Sequence, residues 1–242
     1  MEQSTTAALG IVTLCCPRDL TAEAEEWLTS GLITALPSLR MRELFATRLD
    51  MFREAHLITV ALDGDIIVGA LSSRWAQLPA GPQFLHVTTQ FVAEAHRSGP
   101  VFRQSWRSHF AEMLGQGIEF PGLIALKTYN PIVYCAMRAF TGAPDTSLYP
   151  AIGSAPRSEI TATAAEVAAT VSPGRRFDRP TGRIRSAGSP ADLYPAMPLS
   201  RDPAVNDFFA AALQPGDRIL CVLSIPTVAG AGAILQALGV TR

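Results

Sequence analysis

Strong net charge, cysteine pairs and metal-ligand spacings are all missing from this sequence. The formal net charge of the 242 residues is −1, so no strong electrostatic field would attract nucleic acid or an anionic membrane surface. The cysteines (Cys15, Cys16, Cys135 and Cys221) form no CxxC pair, which favours reduced thiols in a cytoplasmic protein. The four histidines do not stand at metal-ligand spacing from cysteines or carboxylates, so we expect no metal site.

Secretion signals and nucleophile motifs are also missing. The opening segment MEQSTTAALG has no basic region of the kind that begins a signal peptide. No G-x-S-x-G motif occurs and no cysteine lies in a basic stretch, so serine or cysteine nucleophilic catalysis has no support. Residues 219–241 carry no charge and are long enough for a bilayer span. Pro226 and three glycines interrupt that run, so we expect instead a strand and then a helix that Thr227 caps.

The residues that are present suit an ordinary globular core, with 48% hydrophobic and 17% charged residues. Of the 20 basic residues, Lys127 is the single lysine. This arginine bias, together with abundant Ala, Gly and Pro, indicates a high-GC bacterial coding sequence.

Hydrophobic periodicity and turn signals predict alternating strands and helices. In chain order the predicted elements are a strand (9–16), two helices (21–32 and 39–55), two strands joined at Asp63-Gly64, a strand (83–92), a helix (99–114), a strand (122–129), a helix (130–140) and a late strand (219–225). This order is typical of a mixed α/β fold with a largely antiparallel sheet, and it lacks the strict alternation of a doubly wound fold.

The joint between strand 83–92 and the next helix has features of a phosphate-binding loop. Backbone N–H groups at a helix N-terminus attract anions, helped by the partial positive charge of the helix dipole. Gly99 would let the backbone approach a phosphate closely, and Arg97 would add a charge-assisted contact. Taken alone, the loop fits an ordinary turn at a helix start equally well.

Two segments together resemble the GNAT N-acetyltransferase superfamily. In VAEAHRSGPVF, Val92 is followed five residues later by Arg97 and then by a glycine turn; in KTYNPIVYCAMRAFTG, Asn130 opens a helix directly after a strand. The resemblance covers residues 9–142. It implies a mixed, largely antiparallel sheet flanked by helices, which binds acyl-coenzyme A where two adjacent strands splay apart.

The resemblance also implies the organisation of the chain and its cofactor contacts. We expect an acyl-CoA-binding core at 1–142, an insertion with helices and a Pro/Gly/Arg-rich loop at 143–217, and a C-terminal strand and helix at 218–242 that complete the domain. The implied coenzyme A contacts are Phe91, Val92, Arg97, Ser98, Gly99, Val101, Phe102 and Asn130.

Proline and phenylalanine depart from the family pattern, which usually has glycine at the positions of Pro100 and Phe102. Pro100 donates no N–H, so the expected phosphate cradle lacks one contact. Proline is nevertheless unstrained in the first turn of a helix. The departures therefore weaken the cradle and leave the helix start intact.

Acyl transfer to an amine needs an acid for the leaving thiolate and a base for the amine. The family's usual acid, a tyrosine, would fall near Met137, so we take Tyr134, one turn earlier on nearly the same face, as the candidate acid. The strand glutamate that often serves as base is absent from FLHVTTQFV, so His86 and Glu94 become the candidate bases. A water chain without a dedicated base is the alternative.

The resulting hypothesis is an N-acyltransferase that carries acetyl from acetyl-coenzyme A to a small-molecule or peptide amine. Two alternatives remain: a GNAT-like binding or scaffold module that has lost catalysis, and an acyltransferase that draws its acyl group from an acyl-carrier protein. We expect no nucleic-acid or membrane partner. A homodimer through the C-terminal strand or helix is an expectation that follows from the apolar run 219–240.

Overall fold

The computed structural model describes residues 9–16, 18–97, 99–154 and 158–240. The strands are β1 (Gly10–Cys15), β2 (Leu57–Asp63), β3 (Ile66–Gln77), β4 (Gln83–Val92), β5 (Leu123–Thr128), β6 (Ser147–Tyr149), β7 (Phe177–Asp178), β8 (Arg183–Ile184) and β9 (Arg218–Ser224). The helices are α1 (Ala22–Ala35), α2 (Met41–Arg48), α3 (Asp50–Arg53), α4 (Val101–Gly115), α5 (Pro131–Arg138), α6 (Ser158–Val171), α7 (Pro203–Ala212) and α8 (Val228–Leu238), with 3₁₀ turns at Glu94–His96 and Ala139–Gly142.

The strands form one sheet in the order β1-β2-β3-β4-β5-β9-β8-β7, and β6 also pairs with β9. Among the described residues, β4 and β5 form the one parallel pair, and every other pairing is antiparallel. The late strand β9 lies beside β5, so the chain returns to the centre of the sheet after the long excursion of 143–217. The predicted fold class, a mixed and largely antiparallel sheet flanked by helices, is confirmed.

Local sequence explains where the elements begin and turn. β2 and β3 are joined by a two-residue turn in which Gly64 has φ +59°, a conformation that glycine adopts without strain. Thr21 caps α1, Asn130 caps α5 and Asp202 caps α7, each by accepting a backbone N–H from the first turn. The cap of Asn130 fixes the point at which the chain leaves β5.

Helices cover both faces of the sheet. On one face α4, α5, α7 and α8 pack around a cluster that contains Trp106, Phe110 and Phe209, all fully buried. On the other face α1, α2 and α3 cover the β1–β4 half and α6 covers β5 and β9, in two separate clusters. The boundary between those two clusters lies over β4 and β5.

A β-bulge bends β4 at its midpoint. Ser72 pairs with Thr89 and Ser73 pairs with Val87, so Thr88 is an extra residue on β4. The hydroxyl of Thr88 donates to the backbone carbonyl of Met51 at 3.0 Å, which ties the bulge to α3. A bulge turns its strand away from its former direction, and β4 leaves β5 immediately after Val87.

The uncharged C-terminal run is divided into β9 and α8, with Pro226 between them. In the part of the chain that the structure describes, no helix has both the length and the apolar character needed to cross a bilayer. The sequence-based prediction of a strand followed by a Thr227-capped helix is confirmed, since the Thr227 hydroxyl accepts the N–H of Gly230 at 3.1 Å.

Candidate active site in the gap between two diverging strands

A gap opens in the middle of the sheet because β4 and β5 pair over three residues and then separate. The pairing joins Leu85–Val87 to Ile124–Leu126. Beyond it β4 runs on to Val92 along β3, and β5 runs on to Thr128 along β9. Each strand keeps its outer neighbour, so the separation leaves a wedge between two supported strands.

Two backbone amides of β4 face this wedge. The N–H of Ala93 donates to the carbonyl of Val68 in the β3 direction at 2.8 Å. Successive residues of an antiparallel strand point their N–H groups alternately to either side, so Phe91 also faces β3 while Gln90 and Val92 face the wedge. The side-chain amide of Gln90 is buried as well, and neither its nitrogen nor its oxygen has a partner among the described residues. Buried groups without partners are uncommon in folded proteins, so this edge suits a polar ligand.

The wedge has two lobes. The amide lobe lies between the starts of α4 and α5 and is lined by Phe91, Val92, Arg97, Phe102, Asn130 and Val133. The cationic lobe lies between α2 and the segment 187–194 and is lined by Arg48, His86, Lys127, Thr128 and Arg218. The empty volumes of the amide lobe and the cationic lobe, each including some adjoining solvent, are about 790 Å³ and about 840 Å³. Four residues line both lobes and so lie at their boundary: Gln90, Phe91, Val133 and Tyr194.

Five of the eight predicted coenzyme A contacts line the amide lobe: Phe91, Val92, Arg97, Phe102 and Asn130. Val101 points elsewhere, because its side chain is fully buried in the cluster with Ala61 and Val68. Gly99 lies at the exposed start of α4 and does not line the lobe. Ser98 lies outside the described residues. These placements leave the predicted contacts as predictions.

Two backbone N–H groups of the loop before α4 already donate to carbonyls within that loop. The N–H of Arg97 donates to the carbonyl of Glu94 at 3.3 Å, and the N–H of Gly99 donates to His96 at 3.0 Å. Pro100 is the N-cap and has no N–H. The donors left at the helix start are therefore the amides of the first turn, from Val101 onward, which have no partner inside the helix.

Tyr134, the predicted acid, lies away from both lobes. Its side chain is 1% exposed, its hydroxyl donates to the carbonyl of Pro150 at 2.8 Å, and the N–H of Ile152 donates to it at 3.2 Å. Burial raises the pKa of Tyr134 to about 12. The face of α5 that lines the amide lobe carries Val133 and Ala136 instead. The position of Tyr134 on the other face of α5 does not favour its predicted role as the acid, and that role stays a prediction.

The two predicted bases differ in position. Glu94 lies on the 3₁₀ turn with its side chain 76% exposed and 4.0 Å from Arg97, and it lines neither lobe. His86 lines the cationic lobe and is 5% exposed. Burial, with smaller contributions from Lys127 and Arg74, lowers the pKa of His86 to about 3. A neutral imidazole with so low a pKa is a weak base. The position of His86 in the lobe fits its predicted role as the base, but its low basicity does not favour that role.

Tyr194 is a site residue that the sequence patterns do not reveal. It belongs to the excursion, and its ring stacks on Tyr129 with centroids 6.0 Å apart. The Tyr194 hydroxyl interacts with the side chain of Asn130, whose oxygen also accepts the N–H of Ile132 at 2.9 Å. Burial raises the pKa of Tyr194.

Comparisons with known proteins return structural likeness at low identity. No family model and no curated protein sequence matches the chain. A GNAT family acetyltransferase from Brucella melitensis in complex with acetyl-CoA is 13% identical over 49% of this chain and 75% of its own, with a TM-score of 0.35. A GNAT family acetyltransferase from Staphylococcus aureus Mu50 is 14% identical over 62% and 90%, with a TM-score of 0.39.

A third similar structure is the diaminobutyrate acetyltransferase EctA from Paenibacillus lautus in complex with L-2,4-diaminobutyric acid and coenzyme A. It is 16% identical over 58% of this chain and 81% of its own, with a TM-score of 0.37. Identities and TM-scores of this size do not transfer an activity to the chain. The element order and the diverging β4–β5 pair seen here are those that the sequence resemblance implies, and the chain therefore has a GNAT-like fold.

Proposed function

We propose that the protein is an N-acyltransferase that uses acetyl-coenzyme A, or a related acyl-coenzyme A, as co-substrate and an amine as acceptor. The observation that carries the proposal is the separation of β4 and β5 after three paired residues, with two β4 amides facing the wedge. An extended pantetheine arm carries amide groups, so it pairs with a free strand edge as another strand would. The unpartnered Gln90 side chain adds donor and acceptor groups at the same edge.

The amide lobe supplies groups for the phosphates. The first-turn amides of α4 carry partial positive charge, and Arg97 lines the same lobe. The N–H groups of Arg97 and Gly99 already donate to carbonyls of the preceding 3₁₀ turn, and Pro100 has no N–H. The charged side chain of Arg97 therefore takes a larger share of the affinity than it would in a loop with free amides.

In the transfer step the amine nitrogen attacks the thioester carbonyl carbon, a C–N bond forms and the C–S bond breaks. The departing sulfur takes a proton from the Tyr194 hydroxyl, and Tyr194 regains a proton from solvent. The amine loses its own proton to water in the open wedge, because His86 is a weak base and Glu94 lies outside both lobes. The Gln90 and Val92 amides stabilise negative charge that develops on the carbonyl oxygen.

Replacing Arg97 with alanine is expected to weaken acetyl-coenzyme A binding about tenfold, the effect of losing one charge-assisted contact. Isothermal titration calorimetry at constant ionic strength measures the change. Arg107→Ala is the matched control, since Arg107 is an exposed arginine on α4, the helix that follows the loop, and it lines neither lobe. Equal affinities for wild type and Arg97→Ala would remove the phosphate assignment of this loop.

The same titration separates the alternatives. Tight binding of coenzyme A without transfer to any amine would favour a binding module. Absence of coenzyme A binding, with transfer from an acyl-carrier protein, would favour the carrier-dependent enzyme and fit the reduced number of loop amides. The four cysteines are free thiols, so we retain the proposal of a cytoplasmic location. A homodimer stays a prediction.

A further inference from the structure

Three cationic side chains converge on the cationic lobe of the wedge: Arg48, Lys127 and Arg218. Arg48 is paired with Asp50 at 3.0 Å. Among the described residues, neither Lys127 nor Arg218 forms an ion pair with a carboxylate. A buried cation without a close counter-charge is costly. Asp50 and Asp217 act on Lys127 and Arg218 only from beyond ion-pair distance, so the lobe keeps positive charge that an anionic ligand would offset.

Arg218 is held in place within this lobe. The residue is 8% exposed, and one of its terminal nitrogens donates to the backbone carbonyl of Asp217 at 2.7 Å. Its guanidinium carbon lies 5.5 Å from the centre of the Tyr129 ring, a cation–π contact. The guanidinium also lies directly against Gly188, where any Cβ would overlap it. The guanidinium is thus fixed between a ring and a glycine, and this limits the entropy that it loses on binding a ligand.

Lys127 is fixed in a similar way on β5. Its ammonium donates to the carbonyl of Val171 at 3.0 Å and to the hydroxyl of Ser172 at 2.9 Å. An ammonium has three donors, so one remains for the lobe. Burial, with contributions from Arg48 and Arg218, lowers the pKa of Lys127 to about 8. An anion placed between Lys127 and Arg218 would relieve this mutual repulsion.

His86 supplies an additional polar atom to the same lobe. Its side chain is 5% exposed, and its Nδ1 atom has no hydrogen-bond partner among the described residues. A buried polar atom without a partner in the free protein is satisfied when a ligand with matching groups binds. Two fixed cations and one unpartnered imidazole nitrogen therefore form a built recognition site.

We propose that the cationic lobe binds an oxyanion, a carboxylate or a phosphate, on the amine that accepts the acyl group. The anion lies against Lys127 and Arg218, and the amine end of the same small molecule points past Tyr194 toward the wedge. The claim that the bound anion belongs to the acyl acceptor rests on the proposed function. The claim that the lobe binds an anion does not depend on it. The proposal places the anionic end of the acceptor in the cationic lobe and coenzyme A in the amide lobe, so that the two substrates meet where the lobes adjoin, at Gln90 and Tyr194.

The test measures anion binding directly, with inorganic phosphate and acetate as probes. Each is titrated into the whole protein at pH 7 against sodium chloride at equal ionic strength, and the thermal unfolding midpoint is followed. We expect the midpoint of the wild type to rise with at least one anion. Lys127→Met keeps the aliphatic stem and removes the charge, and it should weaken the apparent anion affinity at least tenfold. Arg107→Met, outside both lobes, should behave as the wild type does.

Arg218→Lys is the second variant, since it keeps the charge and removes the planar fork. It should bind the anion more weakly than wild type and more tightly than Lys127→Met, because Arg218→Lys retains both positive charges. A midpoint that rises equally in wild type and Lys127→Met, or that rises in neither, overturns the proposal. The relative affinities for acetate and phosphate decide between a carboxylate and a phosphate.

Saturating coenzyme A separates this proposal from the proposed function. Anion binding that persists with coenzyme A present supports an acceptor site. Loss of anion binding under those conditions would assign the lobe to the phosphates of coenzyme A and overturn the acceptor role. Absence of coenzyme A binding and of transfer from an acyl-carrier protein, with anion binding intact, would remove the proposed acyltransferase and the acceptor role while the anion site stands.

Matched acceptors give an additional activity readout. Thiol release from acetyl-coenzyme A is followed with an amino acid against its amide, and with phosphoethanolamine against ethanolamine. The anionic member of at least one pair should have a kcat/KM at least tenfold higher than its neutral partner, and Lys127→Met should reduce that ratio toward one. Equal rates within both pairs would contradict the proposal.

Discussion

Tyr194→Phe is expected to lower kcat for acyl transfer about 10²-fold, a typical contribution of a positioned general acid, and to leave the Kd for coenzyme A within about twofold. The substitution removes one oxygen atom and keeps the ring that stacks on Tyr129. The shape of the wedge is thereby preserved while the proton for the leaving sulfur is lost. The measurement combines thiol release from acetyl-coenzyme A with calorimetry on the same preparation.

The matched control is Tyr134→Phe, at the position that the sequence favours for the acid. Its hydroxyl forms hydrogen bonds with the backbone of Pro150 and Ile152, and the residue lines neither lobe of the wedge. We expect Tyr134→Phe to retain kcat and to lose about 1–3 kcal/mol of folding free energy, the usual effect of leaving buried groups unpaired. If Tyr194→Phe keeps the wild-type rate while Tyr134→Phe loses it, the assignment made here is wrong.

The pH dependence of activity distinguishes loss of a proton donor at Tyr194 from a change in packing, because a packing change alone would not alter it. Burial raises the pKa of Tyr194 above its ordinary value of about 10, so the hydroxyl keeps its proton through the neutral range. Activity that depends on this proton falls on the alkaline side, once the pH passes the raised pKa. In Tyr194→Phe the residual activity should lack that alkaline limb. The comparison is restricted to pH values at which both proteins remain folded by circular dichroism.

Local patterns in the sequence were enough to predict the sheet and the region of the wedge. The Asp63-Gly64 signal gives the β2–β3 hairpin, and Asn130 with Pro131 gives the start of α5. These features depend on neighbouring residues, so a single sequence contains them. The predicted helix 39–55 is divided into α2 and α3 at Leu49, because both halves share one apolar stripe and periodicity does not show the break.

The cationic lobe could not be predicted, because its parts come from distant points of the chain. Arg48, Lys127, Tyr194 and Arg218 lie on α2, β5, the excursion and β9. Their meeting depends on how the segment 143–217 folds back over the sheet, and tertiary packing of a Pro- and Gly-rich segment has no periodic signal. The single lysine of the chain was visible in the sequence, and its position at the end of β5 is the one local hint of this lobe.

The orientation of α5 about its axis could not be predicted from the sequence either. Tyr134 and Met137 are three residues apart and both face the core, with 1% and 0% exposure. Spacing predicts that they share a face, which is confirmed, but it does not say which face meets the wedge. That choice follows from packing against β9 and α7, where Tyr134 contacts Phe209.

Acidification from pH 7 to pH 5 is expected to reduce the free energy of unfolding by roughly 4 kcal/mol, about half from each of two buried histidines. Burial lowers the pKa of both His86 and His109 to about 3, below the unfolded value of about 6.5. The folded state therefore binds fewer protons, so its stability is complete above pH 6.5 and declines as the pH falls. Urea unfolding followed by circular dichroism at pH 7, 6 and 5 measures the slope.

Two leucine variants separate the structural roles of these histidines. His109 is fully buried, and its two ring nitrogens lie 2.9 Å from the hydroxyl of Thr59 and 2.7 Å from that of Ser73. His109→Leu leaves both hydroxyls buried without this partner and should cost about 3 kcal/mol at pH 7. The Nδ1 atom of His86 has no partner, so His86→Leu should change stability by less than about 1 kcal/mol. Each variant should remove about half of the acid dependence, because each removes one group that is protonated only on unfolding. A slope that survives in the double variant would show that other groups cause the acid lability.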